Sequence, residues 1–293
     1  MVVATGFFDG VHVGHRLVIK QLVEAAAVRG AESMVITFWP HPRNVLQKEA
    51  RTLRLLTTLQ EKKEMLLGLG VDHVEVLPFT KDFSAMTTEE YLRMIMERYG
   101  VNTILLGYDN RMGSDAKGTD QVADTAGLLS VEVIRADMVP SEKGYAVSST
   151  KIRQRLEEGD VKGAESMLGY GYSLKGVVVA GNRIGRTIGF PTANMQLYEP
   201  LKLVPGNGVY FVKVNTVGRE FYGMCNIGHK PTVSNGNART IETNIFGFDE
   251  DIYGLDIEIT FISKIREEVR FGSLEELRRQ LEKDRTVCLN EIA

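Results

Sequence analysis

Strand-like and helix-like segments alternate through the first half of this chain, and that order restricts the fold more than any other property of the sequence. The strand-like runs are MVVAT, SMVITF, HVEVLP, TILLG and VEVIR, with helical patterns such as HRLVIKQLVEAAAVR between them. Such alternation predicts a parallel sheet with helices on both faces. From Tyr172 onward the strand-like runs follow one another, separated by glycine, asparagine and proline, which predicts a mainly antiparallel domain, a small barrel.

This change of pattern divides the chain into two predicted domains. A length of 293 residues suits two domains of ordinary size. We expect residues 1–169 to form the first domain and residues 170–293 the second. Two helices, SSTKIRQRLEEGD and VKGAESMLG, should close the first domain, and Ser273 with Glu276 gives a capping-box pattern ahead of a C-terminal helix.

Composition excludes several classes of function. The chain has 35 Lys and Arg against 38 Asp and Glu, a net charge of −3, and no basic cluster, so no nucleic-acid partner is expected. Its two cysteines, Cys225 and Cys288, are too few for a disulfide framework or a cysteine-rich zinc site and indicate a reducing compartment. No run approaches the roughly 18 to 20 apolar residues of a membrane span, and no signal segment opens the chain. We therefore expect a cytoplasmic protein without a membrane partner, and a homo-oligomer is compatible with the sequence.

The stretch GFFDGVHVGH, residues Gly6 to His15, follows the first predicted strand directly. A helix should begin near Gly14, and the unpaired backbone N–H groups of its first turn favour an anion such as phosphate. His12 and His15 flank Gly14, so both imidazoles can reach the same oxygens, and the missing side chain leaves room for a flat base. The chain contains no P-loop motif. An isolated H-x-x-H pair also occurs in metal sites and as two unrelated surface histidines, and these alternatives stay open here.

Two further segments have the chemistry of phosphate or metal sites. SSTKIR, Ser148 to Arg153, offers two hydroxyls at a helix N-terminus and an arginine one turn later, although an ordinary serine cap has the same pattern. GVVVAGNRIGRTIGFPTAN combines glycine turns with Thr192 and Asn194, whose oxygens suit magnesium. Structural loops also contain such turns, so from chemistry alone both interpretations of the second segment remain.

The motifs H-x-G-H and S-S-T-x-I-R of the first domain resemble the nucleotidyltransferase superfamily, which has a Rossmann-like α/β fold. The string G-x-F-D-G-x-H-x-G-H resembles its flavin-adenylating branch, and two more motifs of that branch are present as TFWPHPRNVL and GYDNRMG. The resemblance implies binding of ATP and FMN. Its catalytic residues would be His12, His15 and Arg153; its ATP- and phosphate-binding residues would be Gly6, Phe7, Asp9, Gly14, Ser148, Ser149 and Thr150. Asp109 and Arg111 would bind flavin, while Asn110 and Met112 depart from the family pattern, which has aromatic residues or histidine there.

The second domain resembles the riboflavin kinase family along nearly its whole length, through GRTIGFPTAN, GVY, GMCNIGHKPT and IETNIFGFDEDIYG. The resemblance implies that Glu242 is the base that takes the proton of the ribityl 5′-hydroxyl. It further implies Thr192 and Asn194 as metal ligands, Gly181, Gly185 and Arg186 as ATP-binding residues, and Phe190, Asn226 and Arg266 as flavin-binding residues. Asn244 stands where many members have histidine, and Gly247 where aspartate is frequent.

A chain that carries both halves is similar to the bacterial bifunctional riboflavin kinase and FAD synthetase family. The resemblance implies phosphorylation of riboflavin to FMN, then adenylyl transfer from ATP to FMN with release of pyrophosphate, both with Mg²⁺; FMN and FAD are the intermediate and the product. One alternative is a flavin-storage module that lost catalysis, which the intact Glu242 disfavours because storage needs no base. Another is a different nucleotidyltransferase fused to an unrelated barrel, which the motifs of the second domain disfavour.

Overall fold

The computed structural model describes residues 1–42, 45, 53–107, 111–137, 147–181, 184–229 and 239–292. The chain forms two compact units, Met1–Ser149 and Thr150–Ala293. The division falls earlier than residue 169 because the segment after Ser149 packs on the second unit, where the N–H of Gly206 donates to the carbonyl of Leu156 at 2.7 Å. The predicted boundary between residues 169 and 170 stays a prediction for the limits of the functional domains.

A five-stranded parallel sheet forms the centre of the first unit. Its strands are β1 (Val2–Thr5), β2 (Ser33–Trp39), β3 (His73–Pro78), β4 (Thr103–Leu106) and β5 (Glu132–Arg135), in the order β3-β2-β1-β4-β5. All neighbouring strands are parallel. Each strand-like run of the first half forms one of these strands, so the predicted α/β class is confirmed.

Helices cover both faces of this sheet. They are α1 (Val13–Val28), α2 (Leu59–Gly68), α3 (Lys81–Ala85), α4 (Thr88–Tyr99) and α5 (Thr119–Leu128). Successive residues of β1 enter different cores, because strand side chains alternate between faces. Val3 belongs to the cluster with Leu92 of α4, whereas Ala4 belongs to the cluster with Ile19 and Leu22 of α1. Full burial of each large side chain contributes roughly 1.5 to 3 kcal/mol, so the two cores fix the sheet between its helices.

The second unit is a closed antiparallel barrel preceded by two helices. After α6 (Ser149–Glu157) and α7 (Val161–Leu168) come β6 (Ser173–Val179), α8 (Ile184–Thr187), β7 (Ala193–Leu197), β8 (Gly208–Thr216), β9 (Arg219–His229), β10 (Arg239–Ile245) and β11 (Asp256–Arg266). The barrel order is β10-β7-β6-β11-β8-β9. The predicted barrel is confirmed. The sequence pattern does not predict strand β7, because ANMQL has no β-branched residue and pairing with β6 and β10 determines its conformation.

The C-terminal helix α9 (Leu274–Ile292) confirms the last predicted element. The hydroxyl of Ser273 accepts from the N–H of Glu276 at 3.2 Å, but the carboxylate of Glu276 accepts from the N–H of Gly272. One half of the predicted capping box is therefore present. Cys288 joins the barrel core around Phe211 and anchors the helix to it. In the described part of the chain, no helix is both long and apolar enough to cross a bilayer.

Candidate active sites

The carboxyl ends of β1 and β4 mark the place in the first unit where a ligand is expected. Strand β2, which follows β1 in the chain, lies on one side of β1, and β4 lies on the other side. Open α/β sheets bind ligands outside the carboxyl ends of their strands, where the strand order reverses. GFFDGVHVGH leaves the sheet after β1, and the segment with Arg111 follows β4. The topology thus brings the predicted nucleotide and flavin segments to the same edge of the sheet.

The loop after β1 has a strained backbone. Phe8 has φ 50° and Val11 has φ 35°, both in the left-handed region, beside Gly10 with φ 81°. Residues other than glycine pay roughly 1 to 3 kcal/mol for such conformations, which persist where the surroundings over-determine them and cluster at functional sites. Other contacts must therefore hold this loop in place.

Asp9 is the centre of those contacts. Its buried carboxylate accepts from the N–H groups of Leu56 and Thr57, both at 3.1 Å, and the N–H of Gly10 donates to the Thr57 hydroxyl at 3.1 Å. The hydroxyl of Ser149 donates to the Asp9 carbonyl at 2.9 Å. In the structure Asp9 thus supports the loop, and its predicted contact with a phosphate stays a prediction.

The two predicted histidines lie together at the start of α1. Nδ1 of His12 caps the helix by accepting from the N–H of His15 at 3.3 Å, which places the proton of a neutral His12 on Nε2. The two rings stack with centroids 3.6 Å apart and planes 16° apart. A Cβ added to Gly14 would lie 3.2 Å from the His12 ring, so the glycine allows this close packing.

The surroundings of His15 favour its neutral form. Burial lowers its pKa well below the usual value, and the charges of His12 and Lys62 lower it further. Its Nδ1 is buried with no hydrogen-bond partner in the described ranges. The first turn of α1 contains no acidic residue. A helix N-terminus without an acidic residue in its first turn and with an unsatisfied imidazole is suited to bind an anion.

Of the second predicted phosphate segment, Ser149 reaches the loop after β1 through its bond to Asp9. Thr150 and Arg153 lie in the second compact unit, on α6. Their role toward phosphate, with that of Ser148, stays a prediction.

A cavity of about 580 Å³ opens beside Phe7 in the first unit. Its walls are mostly apolar and aromatic, with the exposed Arg111 at one side. The lining residues are Thr5, Gly6, Phe7, Phe38, Pro42, Phe79, Phe83, Ser84, Met86, Tyr91, Arg111, Met112, Gly113 and Ser114. The size and composition suit a flat organic ring. Asp109 and Asn110 lie outside the described residues.

The segment that forms one wall of this cavity is tied to the start of α4. The carboxylate of Asp115 accepts from the N–H of Thr88 at 3.1 Å and from its hydroxyl at 2.7 Å, and that hydroxyl also contacts the carbonyl of Met112 at 2.9 Å. These hydrogen bonds hold the pKa of Asp115 below its usual range. Gly113 has φ 71°, and a Cβ there would lie 2.3 Å from the Thr88 nitrogen.

In the barrel, three predicted site residues lie in one row across neighbouring strands. Glu242 on β10 is directly opposite Asn194 on β7 and directly opposite Asn226 on β9. Side chains at directly paired positions project from the same face, with Cβ atoms roughly 4.5 to 5.5 Å apart. The register therefore groups the predicted base, one predicted metal ligand and one predicted flavin ligand.

The glycines before β7 make close contacts that a larger residue would prevent. A Cβ at Gly181 would lie 2.2 Å from the side-chain nitrogen of Asn194, and one at Gly185 would lie 2.2 Å from the carbonyl oxygen of Phe190. The N–H of Phe190 also donates to the Gly185 carbonyl at 2.8 Å. Gly181 therefore lies against the Asn194 amide, and Gly185 forms the turn before Thr192.

A second cavity, of about 330 Å³, lies in the barrel unit. Arg186 and Thr192 line it together with an acidic segment, Asp249 to Asp251. Two predicted nucleotide or metal residues thus share one concave surface. The described residues contain no group of three or more His, Cys, Asp or Glu side chains arranged to hold a metal.

Comparison with known proteins identifies the family. The sequence matches the FAD synthetase model over residues 1–151 and the riboflavin kinase model over residues 168–291. A bifunctional riboflavin kinase/FMN adenylyltransferase from Listeria monocytogenes is 39% identical over 285 residues, which cover 97% of this chain and 90% of that protein. The chain belongs to the bifunctional riboflavin kinase/FMN adenylyltransferase family.

Further relatives agree with membership of the bifunctional riboflavin kinase/FMN adenylyltransferase family. Proteins of the same name from Bacillus subtilis and Escherichia coli are each 36% identical, over 97% of this chain and 90% of their own length. A crystal structure described as a macrolide-efflux protein from Streptococcus pneumoniae has a TM-score of 0.92 and 33% identity, covering 99% of this chain and 93% of that one. The resemblance predicted from the motifs of both halves is confirmed.

Two residues predicted from the riboflavin kinase half of the family to bind flavin have clear structural contacts. Phe190 is buried in the barrel core with Phe211 and Met224. Arg266 forms a close ion pair with the buried Asp284 of α9, at 2.7 Å. Both residues support the barrel, and their contact with flavin stays a prediction.

Asn244, a departure from the riboflavin kinase pattern of the family, has a definite partner. Its side-chain nitrogen donates to the carbonyl of Pro191 at 2.7 Å, and the residue is buried. It therefore holds the backbone directly before Thr192. Gly247, the other departure, has φ 65° in a turn, where glycine is favoured.

Sequence reasoning missed the segment that supports the nucleotide loop of this family member. Leu56 and Thr57 bind Asp9, and Lys62 of α2 donates to the carbonyl of Phe7 at 2.9 Å. The capping box of Thr58 and Glu61 could have located the start of α2, since both of its hydrogen bonds are present. No sequence signal shows which side of that helix faces the loop.

Proposed function

We propose that this chain makes FMN from riboflavin and ATP in its barrel, and then FAD from FMN and ATP in its parallel-sheet unit. The observation that supports this most directly is the clustering of both motif sets. His12 and His15 stack at the start of α1, and Glu242 pairs with Asn194 and Asn226 in the barrel. Each cluster has the groups that its reaction needs.

In the adenylyl transfer, a phosphate oxygen of FMN forms a bond to the α-phosphorus of ATP. The bond from that phosphorus to the bridging oxygen breaks, and the electron pair leaves with pyrophosphate. The second pKa of a phosphate monoester is about 6, so at neutral pH the attacking oxygen needs no base. His12 and His15 therefore act as hydrogen-bond donors to the phosphate oxygens, and donors of this kind contribute roughly 10²- to 10³-fold in rate.

The phosphates of ATP lie at the first turn of α1 in this proposal. The helix dipole, the absence of an acid in that turn and the unsatisfied Nδ1 of His15 support the placement. Ser148 and Ser149, at the end of the same unit, supply further donors, and the family motif also assigns Thr150 and Arg153 to phosphate. The strained loop before α1 is held ready by Asp9, so it needs no reorganisation when ATP binds.

FMN occupies the cavity beside Phe7. The isoalloxazine ring fits between the apolar and aromatic walls, and Arg111 supplies a cation at the exposed side. Asp109 is the other residue that we assign to flavin in this unit.

In the kinase reaction, Glu242 takes the proton from the 5′-hydroxyl of riboflavin as the oxygen attacks the γ-phosphorus of ATP, and ADP leaves. A carboxylate suits this role because it can accept the proton at neutral pH. Asn226, next to Glu242 in the row, orients the flavin together with Phe190 and Arg266. Gly181, Gly185 and Arg186 belong to the ATP side, and Arg186 lines the second cavity.

Magnesium fits the residues present in the barrel. Thr192 and Asn194 offer neutral oxygens, which are hard ligands, and phosphate oxygens of ATP would complete the shell. Gly181 lets the Asn194 amide lie close against the backbone, where a Cβ would clash with it. The ion, when bound, neutralises phosphate charge; Thr192 and Asn194 would hold it, and Asn244 keeps the preceding backbone in place.

The proposed ligands are therefore ATP, riboflavin and FMN. Dependence on ATP agrees with the cytoplasmic location expected from the sequence, and we keep that location and a homo-oligomeric state as proposals.

One incubation tests the function. The purified chain is mixed with riboflavin, ATP and magnesium, and the flavins are separated by chromatography over time. FMN should appear first and FAD should follow, with pyrophosphate released only in the second step. Riboflavin that binds without conversion would contradict the proposal in favour of a storage protein. Conversion that stops at FMN, with supplied FMN also unused, would remove the adenylyl transfer.

A further inference from the structure

Lys62 is a buried lysine beside the nucleotide loop, and neither motif set includes it. The residue is 2% exposed, and its Nζ lies 2.9 Å from the carbonyl oxygen of Phe7 and 4.0 Å from the centre of the Phe7 ring. Lysine is rarely buried unless its ammonium is paired. The burial of this ammonium therefore needs an explanation, whereas an exposed lysine on the surface of α2 would need none.

Within the part of the chain that the structure describes, the hydrogen bonds of this ammonium are incomplete. An ammonium has three N–H donors, and within the described ranges the Phe7 carbonyl is its one acceptor. The π face of the Phe7 ring offers a weaker electrostatic contact. A buried charge that keeps two unused donors is costly, and the cost is recovered when an anion binds against those donors.

Hydrogen bonds at the start of α2 fix the position of Lys62 relative to the nucleotide loop. The segment just before α2 is bonded to that loop through Asp9 and Thr57, and the Thr58 capping box fixes the start of the helix. The ammonium contributes to the lowered pKa of His15, so the two groups interact electrostatically. The lysine and the helix N-terminus thus add positive potential around one loop, and the carboxylate of Asp9 partly offsets it.

We propose that Lys62 is a catalytic residue of the adenylyl transfer, and that its Nζ donates to phosphate oxygens of ATP. It neutralises the charge that develops on the bridging oxygen and the departing pyrophosphate as FMN attacks the α-phosphorus. No proton is transferred, and the bond changes are those of the reaction above. The inference rests on the proposed adenylyl transfer and adds a residue to it.

Three variants test the assignment in the full chain. Lys62→Met removes charge and donors at similar length, Lys62→Arg keeps a charge, and Lys63→Met removes the neighbouring lysine as a matched control. Adenylation of supplied FMN is measured against ATP concentration, and riboflavin phosphorylation in the same preparation reports on folding. Lys62→Met should lower kcat/KM for ATP by about 10²- to 10³-fold, the effect of losing one transition-state donor. Lys62→Arg should retain at least part of the activity that Lys62→Met loses, and Lys63→Met should behave as wild type.

Two results would contradict the role of Lys62. Wild-type adenylation in Lys62→Met would overturn the proposal, and so would an effect on KM for FMN alone, because that indicates only a support for the Phe7 wall. If wild-type protein makes no FAD, the proposed function has failed. If it makes FAD and Lys62→Met does too, only this inference has failed.

The pH profiles of the wild-type chain and of Lys62→Arg cover the case in which Lys62→Met does not fold. Burial lowers the pKa of Lys62 to about 8, and the charge of Asp9 partly opposes the shift; His15 is the other titratable group that interacts with it. Since kcat/KM reports the free enzyme, adenylation should fall with increasing pH above about 8 as the ammonium loses its proton. Arginine stays protonated there, so the fall should be absent in Lys62→Arg. An unchanged alkaline limb in that variant would overturn the proposal.

Discussion

Glu242 on β10 lies directly opposite Asn194 on β7, so the closed barrel places a carboxylate side chain and a neutral amide side chain on the same face. In the proposed kinase reaction the two residues have separate tasks: Glu242 takes the proton, and Asn194 holds the metal. Gly181 packs against the amide and restricts its position. The relationship explains why the predicted base and metal ligand can serve the same phosphate transfer.

Replacing Glu242 by glutamine should stop riboflavin phosphorylation and spare adenylation. The change preserves the shape of the side chain and removes the base, and loss of a general base lowers a rate by roughly 10² to 10⁴. Chromatography of flavins from riboflavin and from supplied FMN measures the two activities separately. Glu220→Gln, on the exposed part of β9, is the matched control. Wild-type kinase activity in Glu242→Gln would remove the carboxylate from the mechanism.

Asn244 should position the backbone before Thr192 through its bond to the Pro191 carbonyl. Asn244→Leu leaves that carbonyl without its donor, and losing the partner of a buried polar group costs about 1 to 3 kcal/mol. We expect a raised KM for ATP in the kinase reaction only. Asn244→His keeps a donor and should retain more activity. Equal kinase kinetics for the leucine and histidine variants would show that the hydrogen bond has no role.

The sequence predicted the fold well because the signals for strands are local. All five runs of the first half form strands. Their apolar side chains on both faces can be buried in any sheet that helices cover on both sides. Strand β7 has no such local signal, because its conformation depends on pairing with β6 and β10 rather than on its own residues. The local sequence pattern does not show which strands pair with this segment.

The candidate sites also contain some features that follow from local sequence and others that depend on tertiary packing. His12 and His15 are three residues apart, so the start of one helix is enough to bring them together. Lys62 and Lys63 are neighbours of the same type, and only the docking of α2 makes the first buried. Position in sequence could not distinguish them.

His15→Ala should suppress FAD formation and leave FMN formation intact, because the residue lies in the parallel-sheet unit. Removing a donor to the phosphates should lower adenylation about 10²- to 10³-fold, and Arg153→Ala should act in the same direction. Rates with supplied FMN and with riboflavin give the comparison. His73→Ala removes a half-exposed histidine of the same unit and should have no effect. A similar loss of both activities in folded His15→Ala would contradict the division of labour.

Gly113→Ala should weaken FMN binding. Its positive φ disfavours any side chain, and the new Cβ would lie 2.3 Å from the Thr88 nitrogen, so the cavity wall must shift. We expect a higher KM for FMN and little change in KM for ATP. Gly127→Ala is the matched control: it lies in α5 with open space around it, and should stabilise the helix by about 0.5 to 1 kcal/mol. Unaltered FMN kinetics in Gly113→Ala would show that the tether to Thr88 does not shape the flavin site.

Asp284→Asn should destabilise the barrel and impair riboflavin binding together. Arg266 donates to both carboxylate oxygens, with Nε at 3.0 Å from each, and Asp284 is 2% exposed. Removing one partner of a buried pair typically costs about 3 to 5 kcal/mol, because the other charge stays uncompensated. Breaking the exposed pair of Arg278 and Glu282 with Glu282→Gln should cost only about 0.3 to 0.5 kcal/mol. Urea unfolding followed by circular dichroism compares the two variants.

Flavin fluorescence titration tests the second role of Asp284, which is to fix the guanidinium of Arg266. A misdirected Arg266 should raise the Kd for riboflavin while KM for ATP stays constant. Unchanged riboflavin affinity in a destabilised Asp284→Asn would leave Arg266 as a link between β11 and α9 and remove it from the flavin site.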